Sequence, residues 1–373
     1  MLQRARCTTA ANFSIREARA IVHDLFEPKP AVYWADFLLS LCFGAACLFA
    51  SRCVAPFTIE QGLLAMATCF SYYRAALFIH ELIHLRDDSF RLFRIVWNLF
   101  CGIPFFMPSF LYYTHLAHHA RKHYGTPDDG EYLPLATRPR REMLKYLMQP
   151  FIIPVLAVLR FLVFTPLAWI SPRLRRLIQQ RASSMVMDPG YVRPLPTRSE
   201  LRVWRLQEAA CFLYGLATVV LLVRGRLPFS FLVQLYLMSV VVLLLNHLRT
   251  LGAHRFRHRG ERLTFVDQLL DSVNYPRHAL IGELWAPVGL RFHALHHLFP
   301  SLPYHALPEA HRRLMERLPS DSPYRQTVSP SLWSSIRDLW RAAGSLSCDG
   351  GTGDTRALRG RRAPSDATVA GTA

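Results

Sequence analysis

Eight histidines fall into three short groups in a chain of 373 residues that is 51% hydrophobic. The groups have the sequences HELIH, HLAHH and HALHH, and their histidines are His80, His84, His115, His118, His119, His293, His296 and His297. Neutral imidazole is the commonest protein ligand for transition metals. Because one zinc ion takes only three or four protein ligands, eight imidazoles predict a site for two metal ions.

The spacing inside each group suits a helix. Residues at i, i+3 and i+4 lie on one face, so His80 and His84 can reach one ion, and HLAHH presents its three imidazoles on one broad side. HALHH repeats that spacing at 293–297. An isolated histidine is usually an ordinary surface side chain, but repetition of the same pattern favours a shared metal site.

Further candidates lie close to these groups. The segment NHLRTLGAH follows the last apolar run, and we expect His254 to be a ninth ligand, with His247 as the alternative. Asn246 or His247 is a candidate for binding through water or for orienting a ligand, and Glu81 for an outer or interfacial carboxylate. No catalytic residue is expected beyond the metal ligands.

Four apolar runs are long enough to cross a bilayer as helices. A helix needs ~20 apolar residues to span the hydrocarbon layer, and the runs are 31–50, 57–79, 206–223 and 227–247. They predict two hairpins that return the chain to the side where the histidines lie.

Two more runs, 92–113 and 150–171, are interrupted by proline or arginine. The interrupting residues are Pro104, Pro108, Pro154, Arg160 and Pro166. Proline disrupts a helix, and a full crossing at 92–113 would place HLAHH on the opposite membrane face from HELIH. The basic flanks of 150–171 also favour one side, the cytoplasmic one. We therefore expect both runs to be interfacial or re-entrant.

The predicted fold class is all-α and integral to the membrane. It comprises four transmembrane helices in two hairpins, interfacial helices and a cytoplasmic helical cap that carries a histidine-rich di-metal site. The expected organisation is a cytoplasmic segment at 1–30, a membrane-bound domain at 31–340 and a disordered tail at 345–373. Both termini are expected in the cytoplasm, with the bacterial inner membrane as the location. Basic residues flank the apolar runs, so we attribute the net charge of +18 to contacts with anionic lipid head groups. No nucleic acid partner is expected.

The motifs HELIH, HLAHH and HALHHLFPSLPYHAL resemble the three histidine boxes, HxxxH, HxxHH and HxxHH, of the integral-membrane fatty acid desaturase and hydroxylase superfamily. The resemblance covers roughly 30–320. It implies two iron ions, O2 as co-substrate, a lipid acyl substrate and electrons from a separate ferredoxin- or cytochrome-type donor. The block YGTPDDGEYLPL after the second box is left without a role.

The ending HHLFPSLP at 296–303 resembles the HHxFPxxP ending of many acyl desaturases. It favours a fatty acyl desaturase that inserts a double bond. The boxes equally suit a fatty acid or sphingolipid hydroxylase or a carotenoid oxygenase, which remain alternatives. A zinc membrane protease is a remote one, because HELIH is also an HExxH motif with Glu81 as general base, but it would leave six clustered histidines unexplained.

Overall fold

The computed structural model describes residues 13–85 and 90–345. Within them the α-helices, in chain order, are α1 Ile15–Ile21, α2 Pro30–Cys53, α3 Ile59–Leu82, α4 Arg91–Trp97, α5 His115–His119, α6 Arg140–Leu159, α7 Thr165–Ile170, α8 Pro172–Arg181, α9 Arg198–Val223, α10 Phe229–Ala253, α11 Phe265–Asp271, α12 Ala279–Trp285, α13 His293–Leu298, α14 Leu307–Arg317 and α15 Leu332–Ser345. This described part contains isolated bridges but no β-strand, so the all-α prediction is confirmed there. The predicted tail lies outside the described residues except for Ser345.

Five helical stretches of the described chain are long and apolar enough to cross a membrane. They are α2, α3, the stretch Arg140–Ile170, α9 and α10. Four of them overlap the predicted spans, whereas Arg140–Ile170 was expected only to lie at the interface or re-enter. The prediction of four spans is therefore not confirmed by length and composition. Large apolar side chains such as Leu39 and Leu206, exposed by 70% and 72%, suit contact with lipid.

The prolines of Arg140–Ile170 do not interrupt it, contrary to expectation. Pro150 and Pro154 lie inside α6, and a π-turn at Arg160–Phe164 joins α6 to α7. A proline removes one backbone donor, and a local π adjustment can satisfy the groups it frees. Pro166 lies directly after this π-turn, in the first turn of α7.

The run at 92–113 is broken, as its prolines predict. It consists of α4, a π-turn at Asn98–Gly102 and a 3₁₀ turn at Ser109–Leu111. Asn98 holds the break together, because its Oδ1 accepts from the Ser109 amide at 2.9 Å. The chain thereby reaches α5 without a continuous helix across this run.

The hairpin of α2 and α3 fixes the position of the first histidine group. Proline occupies the first turn of α2, and Thr58 caps α3 by accepting from the Gln61 amide at 3.3 Å. A Cβ on Gly44 would lie 2.6 Å from the Tyr72 ring, so only glycine allows the two helices to approach this closely. The last turn of α3 then carries His80 into the buried interior.

An extended segment after α10 places the third histidine group. His254 bridges to Ser272, and Asn274 bridges to Phe292. Asn274 is fully buried, and its Oδ1 accepts from the Leu295 amide at 3.1 Å. This bond anchors α13 beside the end of α10.

Candidate metal centre

Four elements deliver nine histidines to one buried region. The end of α3 carries the first group, α5 is the second group itself, His254 directly follows α10, and α13 carries the third group. Within each sequence motif, the helical spacing makes the histidines neighbours on the helix surface.

The nine imidazoles form two groups, in each of which one nitrogen per ring lies within 4.8 Å of all the others. The five-histidine group consists of His80, His84, His115, His119 and His296. The four-histidine group consists of His118, His254, His293 and His297. The groups are neighbours, because the His119 and His297 rings stack across the boundary at 4.2 Å.

Inside the groups, Nε2 atoms face one another. The Nε2 of His254 lies 2.8 Å from that of His293 and 3.1 Å from that of His118. In the other group, the Nε2 atoms of His115 and His119 are 2.9 Å apart. Where the Nδ1 atom carries the hydrogen, Nε2 is a lone-pair acceptor, and two such acceptors gain nothing from facing each other unless a cation lies between them.

Several other ring nitrogens are buried without a hydrogen-bond partner in the described residues. They are both nitrogens of His80, Nε2 of His84, and Nδ1 of His119, His293 and His296. Unpaired buried polar atoms are costly. Burial, and then the nearby imidazoles, lower the pKa of His119, His293 and His297 well below its ordinary value. Neutral, converging rings are the donor set that a pair of transition-metal ions requires, so the residues present fit a di-metal site.

Acidic and phenolic side chains accept hydrogen bonds from the Nδ1 atoms of three of these rings, whose Nε2 atoms face the other histidines. The Nδ1 of His115 donates to Glu131 Oε2 at 2.7 Å, and the Nδ1 of His118 donates to Asp129 Oδ2 at 2.8 Å. Burial opposes charge on His118, but the Asp129 carboxylate outweighs it and raises the pKa of His118. Such partners fix the ring orientation so that Nε2 points inward.

His254 is oriented by a phenol. Its Nδ1 donates to the Tyr124 hydroxyl at 2.8 Å, and that hydroxyl donates to Asp271 Oδ2 at 2.9 Å. Tyr124 comes from the block YGTPDDGEYLPL, as do the two carboxylates above. The signal that sequence reasoning missed was the density of acidic residues directly after the second box.

Comparison with known proteins agrees with this arrangement. The sequence model of the fatty acid desaturase family matches residues 58–328, a range that includes all nine histidines. The chain belongs to the fatty acid desaturase family. A ceramide hydroxylase of Caulobacter vibrioides (strain NA1000 / CB15N) is 37% identical over 338 residues, which cover 89% of this chain and 95% of that protein. No solved structure matches the chain.

The expected resemblance to the desaturase and hydroxylase superfamily is thus confirmed. The apolar helices accord with a multi-pass membrane protein of this oxygen-dependent oxidoreductase family, and the two histidine groups are compatible with its di-metal site.

The three residues predicted to lie near the ligands, Glu81, Asn246 and His247, are in neither histidine group. Glu81 accepts from the Tyr33 hydroxyl at 2.8 Å and from the Tyr304 amide at 3.0 Å. The carboxylate therefore ties α2 and α3 to the segment after the third box.

His247 and Asn246 point to other partners. The Nδ1 of His247 donates to the Leu243 carbonyl at 2.8 Å, and its ring packs on Tyr146 at 4.3 Å. Asn246 Oδ1 accepts from Arg249 Nε at 3.2 Å. Of the two histidines in NHLRTLGAH, His254 is therefore the one in a metal-compatible group.

Proposed function

We propose that this protein is an O2-dependent di-iron hydroxylase that acts on ceramide-type lipids. The observation that carries the proposal is the likeness to a ceramide hydroxylase along nearly the whole of both chains. It favours hydroxylation, the alternative in the sequence analysis, over desaturation. The HHLFPSLP ending alone had favoured a desaturase, but a motif of a few residues weighs less than identity across 338 residues.

We propose all nine histidines as iron ligands, with four on one ion and five on the other. When bound, a pair of ferrous ions would supply the site at which O2 is reduced. The chain's own groups position the ligands: Asp129, Glu131 and Tyr124 keep the rings of His118, His115 and His254 pointing inward. The helices would bury the alkyl chain, which gains ~0.8 kcal/mol per methylene.

The overall reaction breaks one C–H bond and forms one C–O bond. One oxygen atom of O2 enters the lipid as a hydroxyl group, and the other leaves as water with two protons. Two electrons are needed, and we propose that a separate ferredoxin- or cytochrome-type protein supplies them. The same cluster without oxygen insertion would remove two hydrogens and leave a double bond, which is the second candidate outcome.

Mass spectrometry of lipids distinguishes these outcomes. The full chain is expressed in a bacterial host supplied with ceramide, with a His118→Ala variant as control. We expect an added oxygen atom in ceramide that carries the isotope when cells grow under ¹⁸O2 and that is absent from the control. Loss of two hydrogens would instead identify a desaturase, and unchanged ceramide alongside oxidised fatty acids would redirect the substrate.

For the topology we propose four crossings, with Arg140–Ile170 entering and leaving on the side of the metal centre. Support comes from the segment after α8, where the Met187 amide donates to the Gly130 carbonyl at 2.8 Å and Arg193 donates to the Phe110 carbonyl at 2.8 Å. Both acceptors belong to the chain around α5, so the segment that follows Arg140–Ile170 lies near the metal-centre end.

Labelling from the two sides of the membrane tests this topology. Single cysteines replace Arg176, Glu261 and Phe57 in a background without other exposed cysteines, and an impermeant maleimide is applied to inverted and right-side-out vesicles. We expect Arg176→Cys to label from the same side as Glu261→Cys and from the opposite side to Phe57→Cys. If Arg176→Cys instead labels from the same side as Phe57→Cys, the chain crosses the membrane five times.

A further inference from the structure

Most buried arginines of the described chain are tied to a carboxylate or to carbonyls of another element. Arg160 donates to Glu208 at 2.6 Å and to the Ala182 carbonyl at 2.8 Å. Arg291 donates to Glu283 at 3.2 Å and to the carbonyls of Tyr275 and Pro276. Arg193 donates to the Phe110 carbonyl. These guanidinium groups serve as structural clamps.

Arg249 differs from them. It is only 9% exposed, and two of its hydrogen bonds, to Asn246 and Thr250 at 3.2 Å each, lie within its own helix, α10. Across helices the guanidinium hydrogen-bonds to the Tyr73 hydroxyl of α3, a neutral group that itself donates to the Trp285 carbonyl. No carboxylate of residues 13–85 or 90–345 forms an ion pair with Arg249. A buried cation without an anionic partner is costly, so a role beyond folding explains its presence.

The position of Arg249 points to that role. It lines a cavity of about 30 Å³ together with His115, His118, His254, His293, Glu131, Thr250 and Ala253. A space of this size admits a group of roughly the size of a water molecule, such as a hydroxyl or a carbonyl oxygen, and no alkyl chain. The cavity touches both histidine groups.

The same cavity also offers a hydrogen-bond acceptor. Glu131 Oε2 accepts from His115, whereas its Oε1 is buried and has no partner among the described residues. A donor and an acceptor thus face one small space beside the metal centre. A hydrocarbon would leave both unsatisfied, whereas a group with an oxygen acceptor and a hydroxyl donor would satisfy both.

We infer that Arg249 and Glu131 bind the polar head of the lipid substrate, with Arg249 donating to a hydroxyl or amide carbonyl oxygen and Glu131 accepting from a hydroxyl. The inference deepens the proposed function and rests on it. It places the head group against the histidines, so the carbon that is hydroxylated lies within the first few carbons from the head. It also makes Arg249 the residue that discriminates polar lipids from plain hydrocarbons.

Arg249 is the better residue to test, because Glu131 also orients His115. The full chain in detergent micelles, loaded with iron, is titrated with N-palmitoylsphinganine and with hexadecane, and binding is read by native mass spectrometry. The variants are Arg249→Met, Arg249→Lys and the matched control Arg226→Met, whose arginine is exposed in the turn before α10.

We expect Arg249→Met to weaken ceramide binding by about tenfold or more, the loss of a charge-assisted hydrogen bond, with hexadecane binding unchanged. Arg249→Lys should recover part of the affinity, since it keeps the charge but not the planar fork. In turnover, the KM for ceramide should rise more than kcat falls. Arg226→Met should match wild type throughout.

The outcomes separate this inference from the proposed function. If wild type hydroxylates ceramide but Arg249→Met binds it as well as Arg226→Met does, the head-group site is overturned and the hydroxylase stands. If ceramide binding depends on Arg249 but no oxygenated lipid forms, the hydroxylase fails and the site stands. Metal content is measured for every variant. If Arg249→Met loses iron, ceramide binding by the milder variant Arg249→Lys is compared with that of Arg226→Met instead.

Discussion

The two histidine groups differ in how firmly the protein holds them. In the four-histidine group, His118 and His254 are both oriented through their outer nitrogens, by Asp129 and by the pair Tyr124 and Asp271. Among residues 13–85 and 90–345, the five-histidine group has such a partner only at His115, which is held by Glu131, and His80 has no hydrogen bond there at either nitrogen. The four-histidine group is thus held more firmly by its surroundings, and we expect the five-histidine group to depend more on a bound metal ion for its order.

Replacement of a direct ligand should have the largest effect. His297→Ala removes one of only four rings in its group, and we expect the loss of hydroxylated product to exceed the ~10–100-fold that loss of an outer partner costs. Iron, measured by inductively coupled plasma mass spectrometry, should fall from two equivalents towards one. A variant that kept both iron and product would remove His297 from the proposed ligand set.

The outer carboxylates should come next. Asp129→Asn keeps the shape of the side chain but weakens the bond to His118 Nδ1, and we expect metal affinity to fall ~10–100-fold. Competition with a graded series of chelators measures this affinity. Glu131→Gln is the comparison in the other group. If neither substitution changed metal affinity, the contrast in pre-organisation between the two groups would be wrong.

The order of metal release sharpens the same contrast. Because more rings of the four-histidine group are held in place, its ion should be released second as chelator is added. A charge-assisted hydrogen bond contributes ~1.5–3 kcal/mol, which corresponds to a difference of about tenfold or more between the two affinities. His254→Ala should abolish the tighter binding step and His84→Ala the weaker one, as seen in the chelator titration. The reverse assignment would contradict the prediction.

Glu81 should give the smallest effect on turnover, because it contacts neither group. Glu81→Gln weakens its bonds to Tyr33 and to the Tyr304 amide, and we expect a loss of ~1–3 kcal/mol in stability. The melting temperature should fall. The amount of hydroxylated product per folded enzyme should change less than it does when a direct ligand such as His297 is replaced. Complete loss of turnover with unchanged iron content would revive a direct chemical role for Glu81.

Much of the site could be predicted from local spacing. The histidines of HELIH, HLAHH and HALHH lie on shared helix faces because positions i, i+3 and i+4 are neighbours on any helix, and His254 follows the end of an apolar helix. The partners Tyr124, Asp129 and Glu131 could not be assigned this way. They lie in a loop, where no periodicity relates a residue to the ring that it contacts.

The fold shows the same division. The lengths of the apolar runs predicted the helices α2, α3, α9 and α10, since a bilayer sets the length that a helix needs. The stretch Arg140–Ile170 was expected to be interrupted, because proline is unfavourable in a helix. Its continuity depends on the π-turn at Arg160–Phe164 and on the Arg160 bonds to Glu208 and Ala182, which are contacts between distant segments.

By itself the sequence determined that eight histidines fall in three motifs with helical spacing, that His254 or His247 could add a ninth, and that long apolar helices would accompany them. Only the tertiary structure decided how the rings divide. The consecutive residues His118 and His119 belong to different groups, and so do His296 and His297. Successive side chains on a helix point about 100° apart, so one short motif can contribute rings to two neighbouring groups. Which group each ring joins depends on where the other helices lie, and that follows from packing across the whole chain.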